Sequence, residues 1–459
     1  MENFWDSNVW GSVMIFVVLL ASLLVGNMLK KGIVFLRNSL IPTSVLGGAV
    51  LIIIAAIYKG ATGNVMFDTA IFGGDGTAKL EIITYHALAL GFIASAFKNS
   101  DGKLSKGRVT EIFNTGVTTV STYLIQGIFG LAITIVAALV LTDFFAAAGI
   151  LLPFGYGQGT GQALNYGNIY ETQFGFDGGK SFGLTIAALG FLSASFGGVI
   201  HLNIMKKRGK FHASGDKDKL NAEVIESENE IPMQESIDKF TVQIALIFVA
   251  YAVTYLIMYL LGLALPGMKS TVYGFNFLLG VLSATLVKTL IKFLRKGKIV
   301  KKDYVNNFLM TRASNFFFDV MVVAGIAAIR LDVLEKYWGI MMILGVVGLV
   351  ITYVYNRIVV NTLFKDYPEE QFLAMYGMLT GTASTGIILL REIDGDFKTP
   401  AADNLVYQNF PAIVFGFPMM LIATFAPKQP VLTLGILVAF FLAMNIILFR
   451  SFIFKRRKK

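Results

Sequence analysis

Apolar runs of about 20 residues alternate with short polar segments along most of the chain. A run of about 20 apolar residues is long enough for a helix to cross the hydrocarbon core of a bilayer. The pattern therefore predicts an all-α polytopic membrane protein. We expect eleven spanning helices, near Val9–Met28, Ile41–Tyr58, Ile82–Phe97, Ile112–Leu141, Ser181–Met205, Phe240–Leu263, Tyr273–Phe293, Tyr304–Ile329, Trp338–Val360, Leu405–Phe425 and Val431–Phe454.

Two further apolar segments, 144–171 and 372–392, contain too many glycines and polar residues for a straight membrane helix. Each glycine weakens a helix by about 1 kcal/mol relative to alanine. Backbone groups freed by a break are costly in hydrocarbon unless protein, water or a ligand satisfies them. We therefore predict two re-entrant hairpins that line a polar cavity. The hairpins share the pattern Gly-x-x-x-Gly-Thr, formed by Gly155, Gly159 and Thr160 and by Gly377, Gly381 and Thr382.

A charged stretch at 206–239 divides the chain into two similar halves, and its composition predicts a cytoplasmic linker. Residues 1–205 hold five predicted helices with one hairpin before the fifth, and residues 240–426 repeat this arrangement. An odd number of spans in each half reverses the direction of the second half, which predicts an inverted-topology repeat. Residues 427–459 add one helix and a basic tail, which we expect to contact lipid headgroups.

Lysine and arginine are concentrated in one alternate set of loops, and the net charge of the chain is +10. This bias is typical of membrane topology rather than of nucleic-acid binding, and it predicts that the basic loops are cytoplasmic. We therefore expect a multi-pass protein of a bacterial plasma membrane, with its N-terminus outside and its C-terminus in the cytoplasm. This topology requires both hairpins to be re-entrant, because a full crossing at either would invert every later loop.

The sequence offers little support for an enzyme. The chain has no cysteine, and its three histidines, His86, His201 and His212, lie in different segments. A catalytic zinc needs three clustered protein ligands, and the chain has no H-E-x-x-H motif. We expect no enzyme activity and no cofactor other than a coupling ion. Among polar residues inside spans, we interpret His86, Gln126 and Asn276 as interhelical hydrogen-bonding groups.

The tips of the two hairpins form the predicted binding site. Free N–H groups at the N-termini of short helices favour an anionic carboxylate, and carbonyl and hydroxyl oxygens suit a sodium ion. The candidate substrate ligands are Gln158, Gly159, Thr160, Gly161, Gln162, Thr380, Gly381, Thr382, Ser384 and Arg391. The candidate sodium ligands are Asn315, Asp319, Thr160 and Thr385. The alternative interpretation is that these small residues only allow tight helix packing.

Asp319 lies in the middle of a predicted helix, where a carboxylate costs at least ~2.5 kcal/mol on insertion scales. Together with Asn315 one turn away, it is a candidate to bind the coupling sodium ion or to carry a proton. A structural ion pair with Arg312 is the alternative. Arg391 also has two interpretations, because it can hold a substrate carboxylate with two hydrogen bonds or anchor the topology beside a nearby acidic residue.

The chain resembles the bacterial sodium/glutamate symporters over about residues 10–426. The matching stretches are I-P-T-S-V-L-G-G at 41–48, G-Y-G-Q-G-T-G-Q-A at 155–163 and the second glycine-rich segment at 377–386. Gln158 stands where that family carries a histidine. The sequence Arg-Glu-Ile-Asp at 391–394 stands where we expect smaller neutral residues.

This resemblance implies a homodimeric, sodium-coupled carrier of glutamate or a related anionic amino acid or carboxylate. Such a carrier slides a transport domain past a scaffold in an elevator-like movement. A proton- or sodium-coupled carrier of hydroxycarboxylates or dicarboxylates is the alternative within the same class. A passive ion channel is less favoured, because Pro153-Phe154 replaces the Thr-Val that precedes Gly-Tyr-Gly in potassium-channel filters.

Overall fold

The computed structural model describes residues 3–38, 41–98, 106–208, 237–266, 269–298, 302–394 and 398–453. Throughout these ranges the chain forms α-helices and short 3₁₀ helices, and no β-strand is present. Ten of the described helices are long and apolar enough to cross a membrane. The predicted class, an all-α polytopic membrane protein, is confirmed.

The helices before the charged stretch follow the predicted order, with one short helix added after the first. They are α1 (Ser7–Gly32), α2 (Val34–Asn38), α3 (Thr43–Thr62), α4 (Gly76–Phe97), α5 (Lys106–Val140), α6 (Leu151–Gln158), α7 (Thr160–Phe174) and α8 (Gly179–Lys207). Three 3₁₀ helices lie between them, at Met66–Asp68, Ala70–Phe72 and Ala146–Ile150. Most of the predicted linker 206–239 falls on residues 209–236, which lie outside the described residues.

The helices after the charged stretch begin with α9 and end near the C-terminus. They are α9 (Lys239–Ala264), α10 (Lys269–Gly274), α11 (Asn276–Lys296), α12 (Asn307–Ala327), α13 (Leu331–Leu363), α14 (Pro368–Thr380), α15 (Ala383–Arg391), α16 (Ala401–Tyr407), α17 (Asn409–Phe425), α18 (Pro430–Leu448) and α19 (Arg450–Ile453). Residues 454–459, which include the predicted basic tail, lie outside the described residues.

The two longest helices each precede one of the glycine-rich segments. α5 has 35 residues and α13 has 33 residues, both longer than the predicted spans 112–141 and 338–360. The prediction counted only the apolar runs. α5 begins six residues before its predicted span, at Lys106, and α13 begins seven residues before its predicted span, at Leu331, and both of these extensions contain charged residues. The long helices give the glycine-rich segments an extended surface to pack against.

The span predicted at 405–425 is divided into α16 and α17. Gln408 separates the two helices, and Pro411 lies in the first turn of α17. A proline has no N–H group to donate to the carbonyl four residues earlier, which here belongs to Tyr407. This missing donor accounts for the interruption that the apolar pattern did not predict.

α18 is the extra helix that the repeat did not include, and it packs along α5 and contacts α13 at Tyr355. Its buried face is formed by Thr433, Leu437, Met444 and Leu448. Tyr355 of α13 donates a hydrogen bond to Asn445 over 2.8 Å. Arg450 of α19 donates to Asn114 of α5 over 3.0 Å. The predicted extra helix therefore braces the two longest helices.

The described residues form two compact units that interleave in sequence. The larger unit draws on Met1–Leu80, Leu104–Asp216 and Val323–Lys459, and the smaller unit on Glu81–Lys103 and Lys217–Val322. Both glycine-rich segments belong to the larger unit. Each unit therefore takes helices from both sides of the charged stretch.

The smaller unit has an apolar core with a few polar ties. The core includes Ile93, Phe97, Ile247, Ala250, Ala284 and Met310. Asn276 donates to the carbonyl of Tyr85 over 3.0 Å, and His86 Nδ1 lies 2.5 Å from the hydroxyl of Tyr251. The predicted interhelical hydrogen bonds of His86 and Asn276 are confirmed.

We predict that Gly377→Ala destabilises the larger unit. A Cβ atom at this position would lie 2.8 Å from the Cα of Gly386 and 2.9 Å from a methyl group of Leu389. Overpacking of this kind typically costs about 1–3 kcal/mol. Thermal unfolding of the purified protein in detergent should therefore show a lower midpoint for this variant.

Gly435→Ala is the matched control for this prediction. Gly435 is also helical, but a Cβ atom there would meet nothing within 4 Å. Alanine favours helix over glycine by about 1 kcal/mol, so the control should unfold at the native temperature or slightly above it. Equal midpoints for the two alanine variants would contradict the close packing at Gly377.

Candidate functional site

Each glycine-rich segment is a helix interrupted at its glycines. In the first segment α6 ends at Gln158 and α7 begins at Thr160, with Gly159 between them at φ 79° and ψ −172°. Only glycine adopts this combination readily, because a Cβ atom would clash with the backbone. In the second segment, Gly381 and Thr382 separate α14 from α15. Both predicted interruptions are present.

The first segment runs back along α5 before it turns to α8. Thr134 of α5 donates a hydrogen bond to the carbonyl of Ala146 over 2.7 Å. Three turns earlier in α5, Tyr123 donates to the carbonyl of Gly157 over 3.1 Å. The chain from 146 to 157 therefore runs antiparallel to α5, and α7 then packs along α8.

The second segment runs along α8 from its opposite end. Glu369, in the first turn of α14, lies 2.9 Å from His201 of α8. Two turns later, Tyr376 donates to the carbonyl of Ser193 over 2.9 Å. α14 is therefore antiparallel to α8, and α15 packs back against α14.

The two segments meet at Gly190 of α8. A Cβ atom at this position would lie 2.6 Å from the carbonyl oxygen of Thr380 and 3.2 Å from the Cα of Tyr156. Thr380 is the last residue of α14, and Tyr156 lies in the last turn of α6. The ends of the two interrupted helices therefore approach each other across a residue with no side chain.

α5 binds the backbone of both segments through side chains one turn apart. Tyr123 donates to Gly157 in the first segment. Gln126 Nε2 donates to the carbonyl of Leu379 in the second segment over 2.9 Å and to the hydroxyl of Thr352 over 2.8 Å. The predicted interhelical hydrogen bond of Gln126 is confirmed. Its contact with the second segment was not predicted. The available signal was that Tyr123 and Gln126, three residues apart, are both polar within one predicted span.

The five candidates of the first segment lie together at the break. Gln158 is half-buried, and the four residues that follow it are buried, namely Gly159, Thr160, Gly161 and Gln162. Gln162 is only 1 % exposed. Its Oε1 accepts from Asn165 over 3.4 Å, whereas no group in the described chain accepts from its Nε2. A buried N–H group of this kind is suited to an acceptor such as a carboxylate oxygen.

The candidates of the second segment also surround a single break, and they are Thr380, Gly381, Thr382, Ser384 and Thr385. Thr380 and Thr385 are fully buried, and Thr382 is half-buried. The hydroxyl of Thr380 donates to the carbonyl of Tyr376 over 2.6 Å, so only its lone pairs remain for a ligand. The hydroxyl oxygens of Thr382 and Thr385 lie 3.3 Å apart.

The remaining candidates lie away from the two breaks or in the other unit. Arg391 is exposed and is the last residue of α15. Asp394 accepts two backbone N–H groups and one hydroxyl from residues 398–399. Asn315 and Asp319 are exposed on α12 and belong to the smaller unit. The roles predicted for Arg391, Asn315 and Asp319 stay predictions.

An ionic cluster of the half-buried Arg357 and Glu369 with the buried His201 fixes the base of the second segment. Arg357 of α13 donates two hydrogen bonds to the carboxylate of Glu369, over 2.6 and 2.8 Å. His201 lies 2.9 Å from the same carboxylate and 2.9 Å from the hydroxyl of Tyr353. Burial acts to raise the pKa of Glu369, but the hydrogen bonds from His201 and Arg357 lower it to about 2.

The sequence did not single out this cluster. Arg357 and Glu369 lie on two helices joined by a turn, so their spacing of 12 residues follows no helical period. His201 was noted only as one of three scattered histidines. Contacts made by the folding of separate helices carry no local signal of this kind.

No protein-family model matches this chain, and a search of curated proteins found no match. The proposal below therefore depends on the arrangement of the two interrupted helices and on the residues around their breaks.

We predict that Glu369→Gln destabilises the protein at neutral pH and weakens its acid sensitivity. The lowered pKa of Glu369 means that its ionised form contributes stability above the ordinary value of 4.5. That contribution is lost as the pH falls through this value towards 2. Breaking an ion pair typically costs up to about 1 kcal/mol when it is exposed and about 3 kcal/mol or more when it is fully buried. This pair is half-buried, so the thermal midpoint at pH 7 should fall by an amount between these limits.

The measurement is thermal unfolding in detergent between pH 7 and pH 3, with Glu335→Gln as the matched control. Glu335 is exposed on α13, so its neutralisation should leave both the midpoint and its pH dependence unchanged. A Glu369→Gln variant with a native midpoint at pH 7 would contradict a stabilising role for the cluster.

Proposed function

We propose that this protein is a secondary transporter that couples the uptake of glutamate, or a related anionic amino acid or carboxylate, to sodium ions. The observation that carries the proposal is the meeting of two interrupted helices at Gly190. Interrupted helices whose ends meet inside a membrane domain are the usual site of substrate and ion binding in secondary transporters.

The contacts along α8 support two re-entrant hairpins that enter from opposite faces of the membrane. α7 reaches the start of α8, where a Cβ atom at Gly167 would lie 2.8 Å from the Cα of Lys180. The base of α14 lies near the other end of α8, at His201. The breaks of both segments lie near Gly190, which is close to the middle of this helix. An approach from two sides to one midpoint is the geometry that alternating access requires.

The layout also supports an inverted-topology repeat. Each half contains one very long helix, α5 or α13, which is followed at once by an interrupted pair. Inversion fits the alternate distribution of basic loops, with the N-terminus outside a bacterial plasma membrane and the C-terminus in the cytoplasm. We further propose the homodimer and the elevator-like movement that the resemblance implies.

The chemistry of the breaks suits both a carboxylate and a cation. α7 and α15 begin at the breaks, and the first N–H groups of a helix have no partners within it and carry partial positive charge. α6 and α14 end there, so carbonyl groups of opposite polarity lie nearby. Gln162 adds a buried donor, and Thr160, Thr382 and Thr385 add hydroxyl oxygens. A carboxylate and a sodium ion bound together would neutralise each other.

The proposed function predicts uptake by the purified protein in proteoliposomes. An inward sodium gradient should drive accumulation of radiolabelled L-glutamate, and replacing sodium with potassium should abolish it. Thr160→Val and Thr382→Val should each lower uptake about tenfold or more, because a hydrogen bond to a charged ligand contributes about 1.5–3 kcal/mol.

Thr289→Val is the matched control, because Thr289 is exposed on α11 and its hydroxyl donates only within that helix, to Thr285. Its uptake should equal that of the native protein. Uptake that is equal in sodium and potassium would exclude sodium coupling. An absence of glutamate uptake under any gradient would exclude this substrate, and dicarboxylates and hydroxycarboxylates should then be tested with sodium and proton gradients.

We also predict that Asp319→Asn alters the ion dependence of uptake. A carboxylate on a membrane helix is costly to retain, which favours a role in binding the coupling ion. The variant should need a higher sodium concentration for half-maximal uptake, or should lose sodium dependence altogether. Glu335→Gln removes the same charge from an exposed helical site and should retain the native sodium curve. An unchanged curve for Asp319→Asn would remove this residue from the ion site.

A further inference from the structure

One face of α5 carries a continuous line of buried polar side chains. Thr115, Thr119, Thr122 and Gln126 are all fully buried, and their spacing of four, three and four residues keeps them on one face of the helix. The line begins beside Glu111, whose side chain is 32 % exposed. It ends at Gln126, which contacts the second interrupted helix. A polar line about 22 Å long therefore connects a partly exposed carboxylate with the meeting point of the two segments.

Near the exposed end, the hydrogen bonds leave one amide oxygen without a donor. The hydroxyl of Thr115 donates to the carbonyl of Glu111, so its oxygen can only accept from Gln371 Nε2, at 3.3 Å. That orientation turns Gln371 Oε1 towards Asn404 Nδ2, at 2.9 Å. Asn404 Oδ1 is then the remaining atom, and no donor in the described chain reaches it.

The same reasoning applies two turns further along α5. The hydroxyl of Thr122 donates to the carbonyl of Thr118, so its oxygen accepts from Asn356 Nδ2 at 3.3 Å. Asn356 Nδ2 also lies 2.9 Å from the carbonyl of Thr352. Rotating this amide by 180° would bring two acceptors together, so Asn356 Oδ1 is the atom that lacks a donor in the described chain.

Gln126 repeats the pattern at the inner end of the line. Its Nε2 faces the carbonyl of Leu379, which can only accept. Its Oε1 is buried and receives no donor from the described chain. Three levels of the line thus present the same chemistry, a fixed amide oxygen that needs a hydrogen-bond donor.

We propose that this face of α5 is a hydrated path, in which water molecules bind the three amide oxygens and connect the solvent at Glu111 with the meeting point at Gly190. Water fits because each level offers one unmatched acceptor beside further polar atoms, and a buried water typically binds about three such partners. A bare cation would need a shell of several oxygens at one level. The path serves any solute or ion that binds at the breaks, so the proposal does not depend on glutamate or sodium.

The absence of cysteine from the chain makes the test direct. Thr119→Cys and Thr122→Cys introduce single thiols on the line, and Thr254→Cys is the matched control. Thr254 is also fully buried in a long helix, and its hydroxyl also donates to the carbonyl four residues earlier. The full-length variants are treated in detergent with methanethiosulfonate ethylammonium, a small water-soluble thiol reagent.

The thiols at 119 and 122 should react at least tenfold faster than the thiol at 254, because the reagent attacks only hydrated thiolates. Reaction of all three thiols at the same slow rate would overturn the proposal. The polar side chains of α5 would then form interhelical hydrogen bonds without bound water. Because uptake is not measured, failure here is distinct from failure of the proposed transport function.

X-ray radiolytic labelling of the native protein decides the question if the cysteine variants do not fold. Gln408 follows Asn404 by one helical turn, since its N–H donates to the carbonyl of Asn404. It carries a fourth buried amide oxygen without a donor in the described chain, and its side chain lies 3.3 Å from Met378 in α14. Radicals formed from bound water should oxidise Met378 several-fold faster than Met258, which is equally buried in α9. Equal oxidation of the two methionines would overturn the proposal.

Discussion

The arrangement of the larger unit depends on satisfying backbone groups that two helix breaks expose among buried residues. A buried polar group without a hydrogen bond costs roughly 2 kcal/mol or more, so an interrupted helix persists only where other groups satisfy its backbone. Tyr123 and Gln126 meet this need, because they donate to the carbonyls of Gly157 and Leu379 from adjacent turns of α5. Since one helix supplies both donors, the two segments share a single support.

Small residues bring the two breaks together. The sequence left open whether these residues serve ligand binding or only tight helix packing, and the structure bears on that choice. At Gly190 the missing side chain is what allows Thr380 and Tyr156 to approach the same point on α8. Gly377 does the same for α14 and α15. Tight packing is therefore the means by which helix ends of both polarities collect at one place, and the two interpretations are compatible.

Local patterns predicted the helical class, the positions of the spans and the two breaks, because apolar length and glycine content act within a single segment. The division at Gln408 depends on the absence of one N–H group at Pro411, which an apolar count does not detect. The contact of Gln126 with Leu379 and the cluster around Glu369 join residues far apart in sequence. Such contacts follow from how helices pack. The polar pair on α5 marks a buried contact, but the sequence does not name the partner.

The base and the tip of the second segment are held by bonds of different strength. At the base, Arg357 and Glu369 form two charge-assisted hydrogen bonds, which are roughly twice as strong as neutral ones. At the tip, Gln126 and Thr380 make neutral hydrogen bonds, each with a net contribution of about 1 kcal/mol. In the proposed transporter, a charged ligand bound at the tip would compete only with the weaker set. The tip would therefore rearrange at a lower cost than the base, which the stronger bonds hold to α8 and α13.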